Sequence, residues 1–209
     1  KNTLADLTYL KNSGLADEIK ALAAKGTPVI GICGGNQMLG TAIYDPHHME
    51  GDIEESEGLG LVNSTTTMKD KKTTHQVTFD VDNLQFLNGQ FSGSELVGYE
   101  IHMGDTTPND ESVKRCFTIT KRSESAIEVV DGFIDGQHQV MGTYIHGVFD
   151  NDDFRRFIVN QLRLRKGLEE MPVVFHYFEH KNNAYNRLAD IVEEHLDMDY
   201  IMSLLKDNG

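Results

Sequence analysis

The chain has 209 residues, 39% of them hydrophobic and 25% charged, which is ordinary globular usage and excludes a disordered, collagen-like or coiled-coil chain. No apolar run approaches the roughly 18 residues of a membrane span. The formal net charge of −14 is opposite to the basic balance of a nucleic-acid binder, so neither nucleic acid nor membrane is an expected partner.

At about 150 residues per domain, the length predicts one domain over 1–209, large enough to bury about 70% of its unfolded surface. Cys33 and Cys116 are the two cysteines, too few for a disulfide scaffold, so a reducing, cytoplasmic compartment is expected. The chain opens at Lys1 with no methionine and no signal peptide. It is expected to be a piece of a longer protein.

In chain order, Leu4, Leu7 and Leu10 and then Leu15, Ile19, Leu22 and Ala23 predict helical segments across 2–25, broken at Asn12-Ser13-Gly14. Gly26 serves as a C-terminal stop. Pro28-Val29-Ile30-Gly31-Ile32 is a short apolar run of the kind a buried parallel strand shows. One short helix is expected over 36–44. The middle carries β-rich runs at 58–62, 73–81, 96–103, 116–121, 126–130 and 140–145, separated by Gly, Asn, Asp and Ser clusters. Val77, Phe79 and Val81 alternate with Thr78 and Asp80, which predicts a sheet with one wet face. The acidic stretch 50–57 reads as a solvated insertion. Asn151 or Asp150 can cap a helix carrying Phe154, Phe157, Ile158 and Leu162. Gly167 and Pro172 break it, and a last helix follows with Leu188, Ile191 and Val192 on one stripe. Helix, buried strand, tight turn, helix is α/β grammar with an added antiparallel region.

Gly31-Ile32-Cys33-Gly34-Gly35 lies at the strand-to-helix junction and has the form of a nucleophile elbow with a thiol. An isolated cysteine is ordinarily a small buried hydrophobe. Here the glycines permit a sharp turn, and the amides opening the next helix favour thiolate. The Gly34 N–H is placed to donate to an oxyanion. Cys116, in Arg115-Cys116-Phe117, lies within a strand and has none of this context.

A cysteine nucleophile needs a base. His146, in Thr143-Tyr144-Ile145-His146-Gly147, ends a β run before a glycine turn, the position at which open α/β sheets place their chemistry. His102, in Gly98-Tyr99-Glu100-Ile101-His102-Met103-Gly104, has a similar setting, and spacing alone does not choose between them. His47 and His48 read as solvated, and His195 as a helix-face residue. His176 and His180 have the spacing of a zinc helix but no third ligand, and no metal is expected.

These motifs resemble class I, triad-type glutamine amidotransferases, and within that class the C-terminal glutaminase domain of the cobyric acid synthase family. Lys1-Asn2-Thr3 with Ala5-Asp6-Leu7 resembles the family's PGSKNT segment cut after its serine. Residues 31–40 (GICGGNQMLG) resemble the nucleophile motif, with Asn36 where the family more often has Tyr. Residues 98–104 (GYEIHMG) and 142–150 (GTYIHGVFD) resemble two further family motifs, the second carrying the catalytic histidine.

The resemblance implies a flavodoxin-like α/β fold with a mixed, largely parallel sheet flanked by helices, and it implies His146 as the base. It implies that Cys33 attacks the glutamine amide through a thioester, with Gly34, Gln37 and His102 lining the substrate site. Ammonia would pass to an N-terminal ATP-dependent synthetase domain that amidates corrinoid carboxylates. ATP and Mg would belong there, and this domain itself would carry no cofactor. The second oxyanion donor would lie in the PGS loop before Lys1, so the chain alone is expected to hydrolyse glutamine weakly. Val148 stands where many triad enzymes have an orienting Glu, leaving Asp150 and Glu100 as candidates to orient His146. The alternatives are the related cobyrinic acid a,c-diamide synthase or peptidoglycan-precursor amidotransferase, and an inactive docking module of the same fold.

Overall fold

A computed structural model describes residues 2–137 and 139–206; Lys1 of the first motif and His138 lie outside the described residues. The chain divides into two compact units, Lys1–Met171 and Pro172–Gly209.

In the first unit, helices α1 (Thr3–Asn12) and α2 (Leu15–Ala24) form where the leucine spacing predicts, and the break between them falls at Ser13-Gly14. Asn2 caps α1 through its side-chain oxygen, which accepts from the Ala5 N–H at 2.8 Å. Strand β1 (Val29–Ile32) then enters the interior and pairs in parallel with β9 (Val140–Thr143). β8 (Phe133–Ile134) pairs antiparallel on the other side of β9, completing a three-stranded sheet.

The predicted helix over 36–44 splits. Helix α3 is Gly34–Leu39, and Ala42–Tyr44 is strand β2, which pairs with β3 (Glu55–Glu57) and with β4 (Ser64–Phe86). Gly40 turns extended between them, so the chain leaves the helix two residues before the strand. The run 58–62 is not a strand. Its amides from Gly58 to Val62 donate to carbonyls of residues 38–41, wrapping the end of α3 irregularly.

Strand β4 and β5 (Gly89–Pro108) form a long antiparallel hairpin closed by Leu87 and Asn88. The predicted strands 73–81 and 96–103 are its central portions. The charged stretch after Met68 hides the continuation, because the register shifts there between Met68 and Thr73. β6 (Phe117–Arg122) adds to β4, and β7 (Ser125–Asp131) to β6. β10 (Ile145–His146) adds to the other edge of β5. Among the described residues, parallel pairing is thus confined to β1–β9 and β2–β4, and antiparallel pairing occupies more of this mixed α/β fold than the sequence led us to expect. The antiparallel share grows because a two-residue loop can join long neighbours directly, whereas parallel strands need a crossover.

The core holds Phe79, Phe117, Met141, Ile145 and Phe154, each at most 1% exposed, with Phe79 and Phe117 meeting edge to face at 5.6 Å. Helix α4 (Asp152–Arg165) covers it through Phe154 and Ile158. In the second unit, α5 (Tyr177–His195) and α6 (Met198–Lys206) follow Pro172, and no residue of α5 is buried. Among the described residues, no helix is long and apolar enough to cross a membrane.

Gly98 sets the fit of β10 on β5. A Cβ there would lie 2.5 Å from Ile145 Cγ2 and 2.6 Å from the His146 carbonyl oxygen. Gly98→Ala must push β10 outward, and we expect a loss of about 1–3 kcal/mol, the usual cost of overpacking, read from urea midpoints.

Candidate active site

Cys33 occupies the turn between β1 and α3 with φ 55° and ψ −109°, a left-handed conformation that a non-glycine residue adopts only at a cost of about 1–3 kcal/mol. The surrounding chain holds it there. Its N–H donates to the Thr143 carbonyl at 2.8 Å, and its own carbonyl accepts from the Gln37 N–H at 3.2 Å. The turn is tight because Gly31 has no side chain: a Cβ there would fall 2.6 Å from Leu39 Cδ1 and 2.7 Å from the Gly35 carbonyl carbon. Gly34 is the first residue of α3, where backbone N–H groups have no acceptor within the helix.

Cys33, Gln37, His102 and His146 line one cleft of about 220 Å³, which gathers residues from α3, β5 and β10. Cys33 and His146, 113 positions apart in the chain, thus come to one site. His146 is half-buried at the end of β10, directly opposite Tyr99 in the register. The Cys33 thiol points at the Ile101 carbonyl oxygen, 3.5 Å away.

Gln37 is 2% exposed, and its amide is held on both sides. Its Oε1 accepts from the Thr3 hydroxyl at 2.9 Å, and its Nε2 donates to the Tyr144 hydroxyl at 3.4 Å. Tyr144 meets the Thr106 hydroxyl at 2.7 Å and stacks on His102 with 3.9 Å between ring centroids. Burial pushes the Tyr144 hydroxyl above its ordinary range, so it stays protonated.

Sequence reasoning missed Thr3, Glu50, Met68, Lys72, Ile101 and Met103, which also line the cleft. Glu50 is no solvated insertion: its carboxylate accepts from the Leu4 N–H at 3.1 Å and the Thr3 hydroxyl at 3.1 Å, anchoring the first turn of α1. The signal lay in α1, whose first amides need an acceptor. Met68 and Lys72 were hidden by the register shift in β4.

Glu100, a candidate to orient His146, engages other residues. It accepts from Arg122 Nε at 2.7 Å and Nη2 at 3.0 Å, and its Oε1 lies 3.4 Å from His102 Nε2. Burial opposes its ionisation, but the His102 and Arg122 hydrogen bonds and charges outweigh burial and hold its carboxyl below the usual range. The His102 Nδ1 faces the Gly104 carbonyl at 2.8 Å, so this ring is fixed at both nitrogens. Asp150 sits in the short 3₁₀ turn Val148–Asp150 that follows β10.

Cys116 is 5% exposed, and burial pushes its thiol far above the ordinary range, the unreactive state expected of a packing cysteine. His48 is exposed and 3.3 Å from Glu54, and His195 bonds the Ile191 carbonyl of its own helix. Among the described residues, no group of three or more His, Cys, Asp or Glu side chains is arranged to hold a metal ion.

Residues 1–154 match the CobB/CobQ-like glutamine amidotransferase domain, and the chain belongs to that family. It is 41% identical over 207 residues to a protein of Dehalococcoides mccartyi named cobyric acid synthase, covering 99% of this chain and 40% of the relative. It is 39% identical over 209 residues to the protein of that name from Salmonella heidelberg, covering 100% of this chain and 40% of the relative. The chain therefore spans about 40% of the length of the curated relatives it matches. The structure of PurLQS from Thermotoga maritima shares the fold at a TM-score of 0.50 and 18% identity, over 71% of this chain and 68% of that one.

Removing Arg122 strips the buried Glu100 carboxylate of two hydrogen bonds and leaves it His102. We expect Arg122→Ala to cost about 3 kcal/mol at neutral pH, the low end for a broken buried pair, since the Arg122 side chain is 27% exposed and water can enter. Glu100 titrates below its unfolded value, so the stability of its ionised form is full above about pH 4.3 and falls away as pH drops through the lower folded value. In the variant, protonation removes a buried charge that has lost its Arg122 partner. The difference in urea midpoint between wild type and Arg122→Ala should be largest at pH 7 and shrink in acid.

Proposed function

We propose that this chain is the glutamine-hydrolysing domain of a cobyric acid synthase, working by a cysteine thioester. The observation that carries the reading is the strained Cys33 turn opening into the same cleft as His146. The relatives' names support the pathway, and their greater length supports a further domain.

His146 takes the Cys33 proton, and the thiolate adds to the side-chain amide carbon of glutamine. The amide oxygen becomes an oxyanion, toward which the Gly34 N–H donates. The C–N bond breaks, ammonia leaves with the proton from His146, and a γ-glutamyl thioester remains. Water then gives a proton to His146 and attacks the thioester, releasing glutamate and restoring Cys33. Gln37 and His102 shape the substrate pocket, held by Thr3, Tyr144, Glu100 and Arg122. In the whole protein, ammonia passes to an N-terminal synthetase domain, where ATP and Mg²⁺ support amidation of corrinoid carboxylates. We assign the protein to the cytoplasm and no cofactor to this domain.

Cys33→Ala should reduce ammonia release from glutamine to background while leaving the melting temperature nearly unchanged, since Cys33, though buried, belongs to neither core cluster. Diazo-oxo-norleucine, a reactive glutamine analogue, should label wild type at Cys33 and fail to label the variant at Cys116. Ammonia release retained by Cys33→Ala would refute the assignment.

A further inference from the structure

Tyr99 lies against the imidazole of His146. The two residues face each other across the antiparallel pair β5–β10, and their rings stack with centroids 4.8 Å apart and planes 9° from parallel. The strand segment that carries Tyr99 is fixed relative to the histidine turn. Asn151 Oδ1 accepts from the Val97 N–H at 2.9 Å, and its Nδ2 donates to the Val97 carbonyl at 2.9 Å. Gly98 lets the β10 backbone come close. Tyr99 is 48% exposed and belongs to neither core cluster, so core packing does not account for its place.

We infer that Tyr99 is the positioning residue for His146: its ring fixes the imidazole plane that serves Cys33 and favours the charged ring formed during turnover. This deepens the glutaminase reading and rests on it. Two physical effects combine. A parallel, stacked neighbour restricts rotation of the imidazole, so its nitrogens keep one direction. The electron-rich face of the phenol ring also attracts the imidazolium that exists while His146 holds the Cys33 proton. Both act on the chemical step, and neither adds a contact to glutamine. The same strand presents the Ile101 carbonyl to the Cys33 thiol at 3.5 Å, so one segment of β5 touches both partners of the proton transfer.

The test is steady-state glutaminase kinetics of the full-length protein with Tyr99→Phe, Tyr99→Ile and Cys33→Ala. Phe keeps the ring, and Ile keeps strand propensity without it. The expected result is a kcat about tenfold lower in Tyr99→Ile, the size of a lost stack, with KM within about twofold of wild type. Tyr99→Phe should keep kcat within about twofold, and melting temperatures should stay close together. Tyr99→Leu gives the same reading should Tyr99→Ile melt early. A wild-type kcat in the folded non-aromatic variants would overturn the inference. So would a rise in KM alone, which would place Tyr99 on the substrate, or a Phe variant as slow as Ile, which would assign the effect to the hydroxyl. Activity retained by Cys33→Ala would instead overturn the glutaminase reading itself.

Discussion

The site depends on one backbone event, the passage of the chain through Tyr144. Residues 140–143 pair with β1, and residues 145–146 pair with β5, so the seven residues 140–146 run from one sheet into the other. On one side of the crossing, the Thr143 carbonyl receives the Cys33 N–H and seats the Cys33 turn. On the other, His146 leaves the short strand into the cleft. The placement of Cys33 relative to His146 is therefore set by main-chain bonds on both flanks of a single residue, which is how two cleft residues far apart in sequence are held without a long side-chain network.

Asp131 secures the crossing. Its carboxyl accepts from the Thr143 hydroxyl and from the Tyr144 N–H, satisfying a donor that neither sheet can pair. Burial pushes its acidity well down despite these bonds, raising its pKa. Below Asp131, Phe133 and Met141 are buried and pack the three-stranded sheet, so displacing the crossing would disturb both the core and the site.

Much of this was legible in the sequence because local chemistry dictated it. The strand-turn-helix around Cys33 follows from glycine spacing and an apolar run, and α1, α2 and α4 from leucine and phenylalanine periodicity. Cys33, Gln37, His102 and His146, expected from motif context, share a cleft, and Gly34, expected with them, opens α3 and is not among the residues that line it. What stayed hidden depends on pairing between distant segments. A three-residue strand such as β2 carries no periodicity of its own and exists because β3 and β4 flank it. The continuation of β4 past its charged bulge is likewise a consequence of β5. Glu50 reads as solvent-facing until the first turn of α1 is brought against it, and Glu100 reads as a partner for His146 until β6 delivers Arg122 beside it.

The charge of the whole chain gives these placements a further meaning. A net charge of −14 makes each further buried negative charge costly, since each nearby carboxylate raises the cost of another. The two buried carboxyls around the Tyr144 crossing are neutralised in opposite ways. Glu100 is ionised but shares its charge with Arg122 and His102, and Asp131 is driven by burial toward its protonated form. Glu50 spends its charge on the positive end of α1. The acids that the fold needs for its hydrogen bonds are thus either partnered or disfavoured as anions where they are buried. The −14 is carried instead by solvated side chains such as Glu124, 97% exposed, whose field is screened over about 8–10 Å at physiological salt.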